Sequence, residues 1–131
     1  MRPDTPILLD SNAYLWLLYD GERIGPGATE ALQAASAVYV SIVSLWELAM
    51  KHAKGLLPYS PKQLQDGLVA LGAELLPIEP RHVAHLQNIQ LPQKDPFDTL
   101  LVAQSDSEQY LFMTADHEIL QSAYTVMDIT L

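Results

Sequence analysis

The chain predicts a three-layer α/β sandwich, a mostly parallel central sheet flanked by helices. Short runs of strand character alternate with longer segments of helical period. The runs, most plainly Ile7-Leu8-Leu9 and Leu111-Phe112-Met113, are apolar throughout, as strands covered on both faces are. Pro, Gly and short polar residues at the junctions supply the starts and stops that helices require.

Taken in order, Ile7 to Leu9 is a strand, Ser11 and Asn12 are capping residues, and Ala13 to Tyr19 is an apolar helix. Gly25-Pro26-Gly27 opens a second helix running to about Ala35, and Val38-Tyr39-Val40 is the next strand. A helix from Ile42 or Val43 to Lys54 stops at Gly55, and Pro58 to Pro61 punctuates the chain. Lys62 to Leu71 is helical, Glu74 to Pro77 a short strand, and Pro80 to about Asn88 a helix, followed by a loop containing Pro92. Asp95 to Tyr110 is helical, Leu111 to Met113 a strand, Asp116 to Ala123 a short helix and Thr125 to Ile129 the last strand.

At 131 residues, 49% hydrophobic and 18% charged, the expectation is one globular domain over residues 1–131. No segment approaches the ~20 apolar residues of a membrane span. Met1-Arg2-Pro3-Asp4 lacks the pattern of a secretory leader, so a cytoplasmic location is expected. With no cysteine, thiolate catalysis and thiolate metal sites are excluded, which leaves carboxylate, imidazole and hydroxyl groups. The net charge of −9 argues against a module that coats nucleic acid through basic patches. Bound divalent cations would reconcile such acidity with a phosphate substrate.

Four carboxylates, Asp10, Glu47, Asp98 and Asp116, stand at the edges of apolar elements. In Leu8-Leu9-Asp10-Ser11-Asn12 a strand delivers a carboxylate and a hydroxyl into a turn; Asp10 is either a helix cap or a metal ligand steadied by Ser11. In Ser44-Leu45-Trp46-Glu47 a Glu is bordered by apolar residues, and its alternatives are an i,i+4 pair with Lys51 or a divalent cation. Asp95-Pro96-Phe97-Asp98 is a strong helix start in which Asp95 caps and Asp98 is left to face the sheet edge. Thr114-Ala115-Asp116 again follows a strand with hydroxyl and carboxylate. In open parallel sheets, sites gather at the strands' carboxyl ends, where Asp10 and Asp116 fall.

In this order and with these flanks, the four segments resemble the PIN-domain ribonucleases, specifically the VapC-type toxins of bacterial toxin–antitoxin pairs. The resemblance runs nearly end to end: Leu9-Asp10-Ser11, the apolar helix with Tyr14-Leu15-Trp16, Ser44-x-x-Glu47, Asp95-Pro96-Phe97-Asp98 through Ala103-Gln104, and Thr114-x-Asp116. It implies a metal-dependent endoribonuclease in which Mg²⁺ or Mn²⁺, held directly or through water by Asp10, Glu47, Asp98 and Asp116, activates water for attack on RNA phosphodiesters. Ser11, Asp95 and Thr114 take supporting places. The resemblance also implies a small cognate antitoxin, whose basic or aromatic tail enters the acidic groove, and a homodimer.

Three positions depart from the family's frequent pattern: Gln93 and Asn12 stand where His is common, and Thr99 where Arg is. All three replacements are neutral, which makes the site less basic. Gln93 and Thr99 favour the alternative of a catalytically idle binding or scaffold module. An aspartyl phosphatase using Asp10 as nucleophile is disfavoured, because Asn12 stands where its second Asp belongs. Lys51, Lys54 and Lys94 are candidates for phosphate contact. His82 and His85, three apart on one helix, have no carboxylate motif beside them in sequence, and Tyr14, Trp16 and Trp46 are expected in the core or a dimer contact rather than stacked on bases.

Overall fold

The computed structural model of the protein describes residues 2–92 and 95–131. Gln93 and Lys94, named above, lie outside the described residues. In chain order the elements are β1 (Ile7–Leu9), α1 (Ser11–Tyr19), α2 (Pro26–Ala34), β2 (Val38–Ser41), α3 (Ile42–Ala53), α4 (Pro61–Leu71), β3 (Glu74–Leu76), α5 (Pro80–His85), α6 (Pro96–Glu108), β4 (Leu111–Thr114), α7 (His117–Leu120) and β5 (Val126–Asp128).

The expected strands all form, and they are parallel throughout, in the order β3-β2-β1-β4-β5. Strand order therefore reverses at β1: the chain moves outward through β2 and β3, then returns to lay β4 and β5 on the other side. The crevice at such a reversal is where parallel sheets place their ligands. Register carries Leu9 opposite both Val40 and Met113, so β1, β2 and β4 end at one level.

Alternation along the strands divides the core in two. Ile7, Leu9, Leu111 and Met113 pack with Tyr14, Leu48 and Leu64 on one face of the sheet. Leu8 and Phe112 pack with Val43, Leu101, Val102 and Ile119 on the other. This is why the strands carry no polar alternation: each residue is covered, and burying one such side chain contributes about 2 kcal/mol. Tyr14 is fully buried, its hydroxyl donating to the Leu64 carbonyl, and α4 approaches α1 closely at Gly67, where a Cβ would lie 2.8 Å from that hydroxyl.

Caps set the ends. Ser60 and Gln63 form a reciprocal box at the start of α4, and Gly72 closes it in the left-handed conformation at φ 67°. The helix expected to reach Tyr110 ends at Glu108, because Gln109 turns left-handed at φ 60° and Tyr110 N–H returns to the Ser105 carbonyl. The expected helix over 116–123 is shorter, since the Ser122 hydroxyl takes up the Ile119 carbonyl at 2.6 Å. Beyond His85 the expected α5 tightens into a 3₁₀ turn, Leu86–Asn88, a common helix ending, and a further turn at Gly21–Arg23 has no counterpart in the sequence reading. No helix among the described residues is long and apolar enough to cross a membrane.

Candidate active site

β1 ends at Leu9, and the next residue caps α1: one Asp10 carboxylate oxygen accepts from Ala13 N–H at 2.7 Å. The other accepts from the Thr114 hydroxyl at the end of β4. Asp10 is thus both the cap and the centre of a cross-strand contact, because the oxygen turned away from the helix faces β4. Thr114 in turn accepts from Asp116 N–H at 3.0 Å, and Asp116 caps α7 through Ile119 N–H at 3.0 Å.

Glu47 arrives from the helix that leaves β2. Its Oε1 accepts from the Ser11 hydroxyl at 2.6 Å, while the Ser11 and Ser44 hydroxyl oxygens stand 3.0 Å apart. Ser11 therefore bridges α1 to α3 and acts on Glu47, whereas it was expected to steady Asp10 or a bound water. Glu47 Oε2 lies 3.7 Å from Lys51 Nζ, so the local pair is present too; such half-exposed pairs are worth about 0.3–0.5 kcal/mol. Asp95 caps α6, accepting from Phe97 N–H at 2.8 Å and Asp98 N–H at 3.1 Å. The Asp98 carboxylate takes no hydrogen bond or ion pair among the described residues. Thr99 spends its hydroxyl on the Asp95 carbonyl at 2.7 Å.

These carboxylates share one electrostatic field. Burial pushes the Asp10 carboxyl up to about 6, against the pull of the Thr114 and Ala13 hydrogen bonds, with the charges of Glu47 and Asp116 adding to the rise. Desolvation, then the charges of Asp95, Glu47, Asp116 and Asp10, lifts Asp98 to about 7. All four expected positions are therefore coupled. Even so, no three acidic or imidazole side chains among the described residues converge closely enough to hold an ion as they stand. The mutual repulsion that adds to the rise at Asp10 and Asp98 also disfavours close approach of the carboxylates.

A cleft of about 240 Å³ opens on this side, lined by Leu91, Pro92, Ile119 and four carboxylates: Asp95, Asp98, Asp116 and Glu118. Glu118 was missed in the sequence; its signal was its place two residues after Asp116. An apolar cleft of about 300 Å³ between α1, α2 and the sheet, with Leu17, Ile24 and Leu32 in its walls, contains no ionisable group and no means of doing this chemistry.

Beneath the site runs a buried polar chain that sequence spacing did not reveal. The Ser41 hydroxyl, at the start of α3, donates to Gln104 Oε1 of α6. Gln104 Nε2 donates to the Pro77 carbonyl at 3.2 Å and lies 3.3 Å from His82 Nδ1, which accepts from Glu79 N–H at 2.9 Å. His82 Nε2–H reaches Glu108 at 3.1 Å, and His85 reaches Asp106 at 2.7 Å. Both histidines thus have carboxylate partners from α6, distant in sequence, and they dock α5 on that helix. Gln104→Leu should cost about 2 kcal/mol, because Ser41 and Pro77 lose buried partners. Urea denaturation checks this: the midpoint should fall with the slope unchanged.

Among the aromatics, Tyr14 is core and Trp16 packs on it beneath the Arg23 guanidinium, which sits 4.8 Å from the ring. Trp46 is 53% exposed, which leaves, of the two places expected for it, a contact surface and not the core.

Comparison with known proteins adds to this geometry. No curated protein matches the chain. The DNA-bound VapBC of Salmonella typhimurium superposes with a TM-score of 0.72 at 17% identity, covering 95% of this chain and 98% of the matched one. VapBC-1 of nontypeable Haemophilus influenzae gives 0.68 at 16%, covering 96% and 99%. A toxin–antitoxin complex of Klebsiella pneumoniae gives 0.60 at 16%, covering 92% and 95%. At these identities the likeness is one of fold. The family profile described as PIN domain matches residues 7–124, which is most of the sequence and contains all four carboxylates, and on that match this chain belongs to the PIN-domain family.

Proposed function

We propose that the protein is a metal-dependent endoribonuclease and the toxin of a toxin–antitoxin pair. The observation that carries this reading is the shared field of Asp10, Glu47, Asp98 and Asp116 at the point where strand order reverses. Asp10 and Asp116 also cap helices and Glu47 also pairs with Lys51, but the Asp98 carboxylate has no partner among the described residues, and a cation would supply one common to all four.

The donor set fits a hard divalent ion. It is all oxygen, it is partly desolvated, and each carboxylate keeps lone pairs beyond those used in capping. Mg²⁺ or Mn²⁺ would be held by Asp10, Glu47, Asp98 and Asp116, directly or through water. Such an ion lowers the pKa of bound water and screens the charge of the scissile phosphate. Thr114 keeps Asp10 ionised, Ser11 fixes the rotamer of Glu47, and Asp95 anchors the turn that presents Asp98. RNA is the substrate in this reading, a small antitoxin with a basic tail is the inhibitor, and a second copy of the chain completes the dimer. The charge of −9 favours steering of that basic tail, and the solved structures named above are complexes of this kind.

Purified protein incubated with structured RNAs should give discrete ends in Mg²⁺ or Mn²⁺, none in chelator and none with Asp10→Asn. Cleavage that persists in Asp10→Asn sinks the assignment of the carboxylates. An idle binding module is the second reading, favoured by Thr99 and by carboxylates that do not close on a point. It predicts no new ends under any metal.

A further inference from the structure

We propose that α3 carries a lane for single-stranded RNA, in which Trp46 stacks on an unpaired base beside the carboxylates and Lys54, with Lys51, holds phosphates further along. The inference rests on the ribonuclease reading for its ligand, an unpaired RNA strand, and adds the side chains of α3 that grip it.

Trp46 and Met50, four apart, lie on one face of α3, and Lys54, four further on, is the residue that caps its end. Trp46 is 53% exposed, Met50 38%, and Lys54 is exposed. The Trp46 ring is met edge-on by Phe97, with centroids 4.8 Å apart and planes at 74°. Phe97 immediately precedes Asp98, as Trp46 precedes Glu47, so the aromatic pair borders the carboxylate pair on both helices. A ring held in this way has little rotamer freedom left to lose, and its open face is suited to stacking.

The cations complete the lane. Arg2, Arg23, Lys62 and Arg81 are paired with Asp4, Asp20, Asp66 and Glu108. Lys54 pairs with no carboxylate among the described residues, and Lys51 has only its 3.7 Å contact with Glu47. Cations placed beyond an aromatic platform are the means by which proteins track a single strand. The helix dipole accounts for lysines at this end of the helix, but not for an exposed indole five and eight residues before them. A basic protein tail suits the acidic cleft yet meets like charge at Lys51 and Lys54, whereas a phosphodiester chain meets opposite charge there.

The chain has two tryptophans, so Trp16→Phe leaves Trp46 as the sole emitter. A 2′-O-methyl RNA of roughly ten nucleotides is the probe. The single strand should quench Trp46 emission, and the same sequence as a duplex should not. By anisotropy of the labelled strand, Trp46→Ala should bind about tenfold more weakly, while Trp46→Phe keeps most of the affinity. Lys54→Glu should flatten the salt dependence by about one phosphate contact. Equal quenching by duplex, unchanged binding by Trp46→Ala, or emission that responds only to a basic protein partner overturns the lane. Unquenched Trp46 in a protein that cleaves RNA removes the lane alone. Quenching in a protein that never cleaves supports the lane and removes the ribonuclease reading.

Discussion

Asp98→Asn is expected to melt several degrees above the wild type at pH 8 in chelator, and to cleave RNA at least about a hundredfold more slowly. The two effects have one cause. Asp98 sits at about 7 instead of 3.8, because desolvation and four neighbouring carboxylates disfavour its charge. Raising a folded-state pKa means that the native chain binds more protons than the unfolded one between pH 4 and 7, so stability falls as pH rises through that window. Above it the ionised carboxylate is a standing cost. Since Asp98 is half-buried, solvent screening brings that cost down to about 1–2 kcal/mol. Asn keeps the size and removes the charge. Near pH 4 the acid is largely protonated, and the two proteins should melt together. Divalent metal should raise the wild type's melting temperature more than the variant's, because a ligand stabilises only the state that binds it. A variant that melts below the wild type at pH 8 would falsify the strained carboxylate site.

Much of the fold was legible because each local signal agreed with the global one. Ile7-Leu8-Leu9 is apolar at every position since Ile7 and Leu9 face one layer and Leu8 the other. Asp95-Pro96 starts a helix whatever surrounds it. Asp10 shows where local reading ran out: as a cap and as a member of the site it presents the same residues in sequence, and only register against β4 reveals that its second oxygen meets Thr114. Ser11 was legible as a site neighbour but not as the partner of Glu47, which is 36 residues away. The Ser41–Gln104–His82 chain joins three elements with no common spacing, so nothing in the local sequence of any one member points to the other two. Apolar density on α3 leaves Trp46 open between core and contact surface, and only the structure puts Ile42, Trp46 and Met50 on the stripe left outside the core. Periodicity locates a stripe without saying what covers it.

Thr114→Val should cost about 3 kcal/mol at pH 8 and only about 1 kcal/mol near pH 4. Val matches the shape of Thr, so packing is nearly unchanged and the loss is that of the hydroxyl. That hydroxyl is fully buried, donates to Asp10 and accepts from Asp116 N–H, so it touches the carboxylate segments that follow both β1 and β4. Its hydrogen bond opposes the desolvation that already holds Asp10 at about 6. Without it the Asp10 pKa rises further, and the window in which stability falls with pH extends to more alkaline values. Once Asp10 is protonated, the missing donor matters less, which is why the deficit shrinks in acid. Because a ligand carboxylate must be ionised, half-saturation with Mn²⁺ at fixed concentration should need a higher pH in Thr114→Val. Thr114→Ser, which restores the donor while removing a methyl, should return the metal profile without fully recovering stability. If the deficit is the same at pH 4 and pH 8, Thr114 serves packing alone, and the ionised state of Asp10 depends on something other than the hydroxyl at the end of β4.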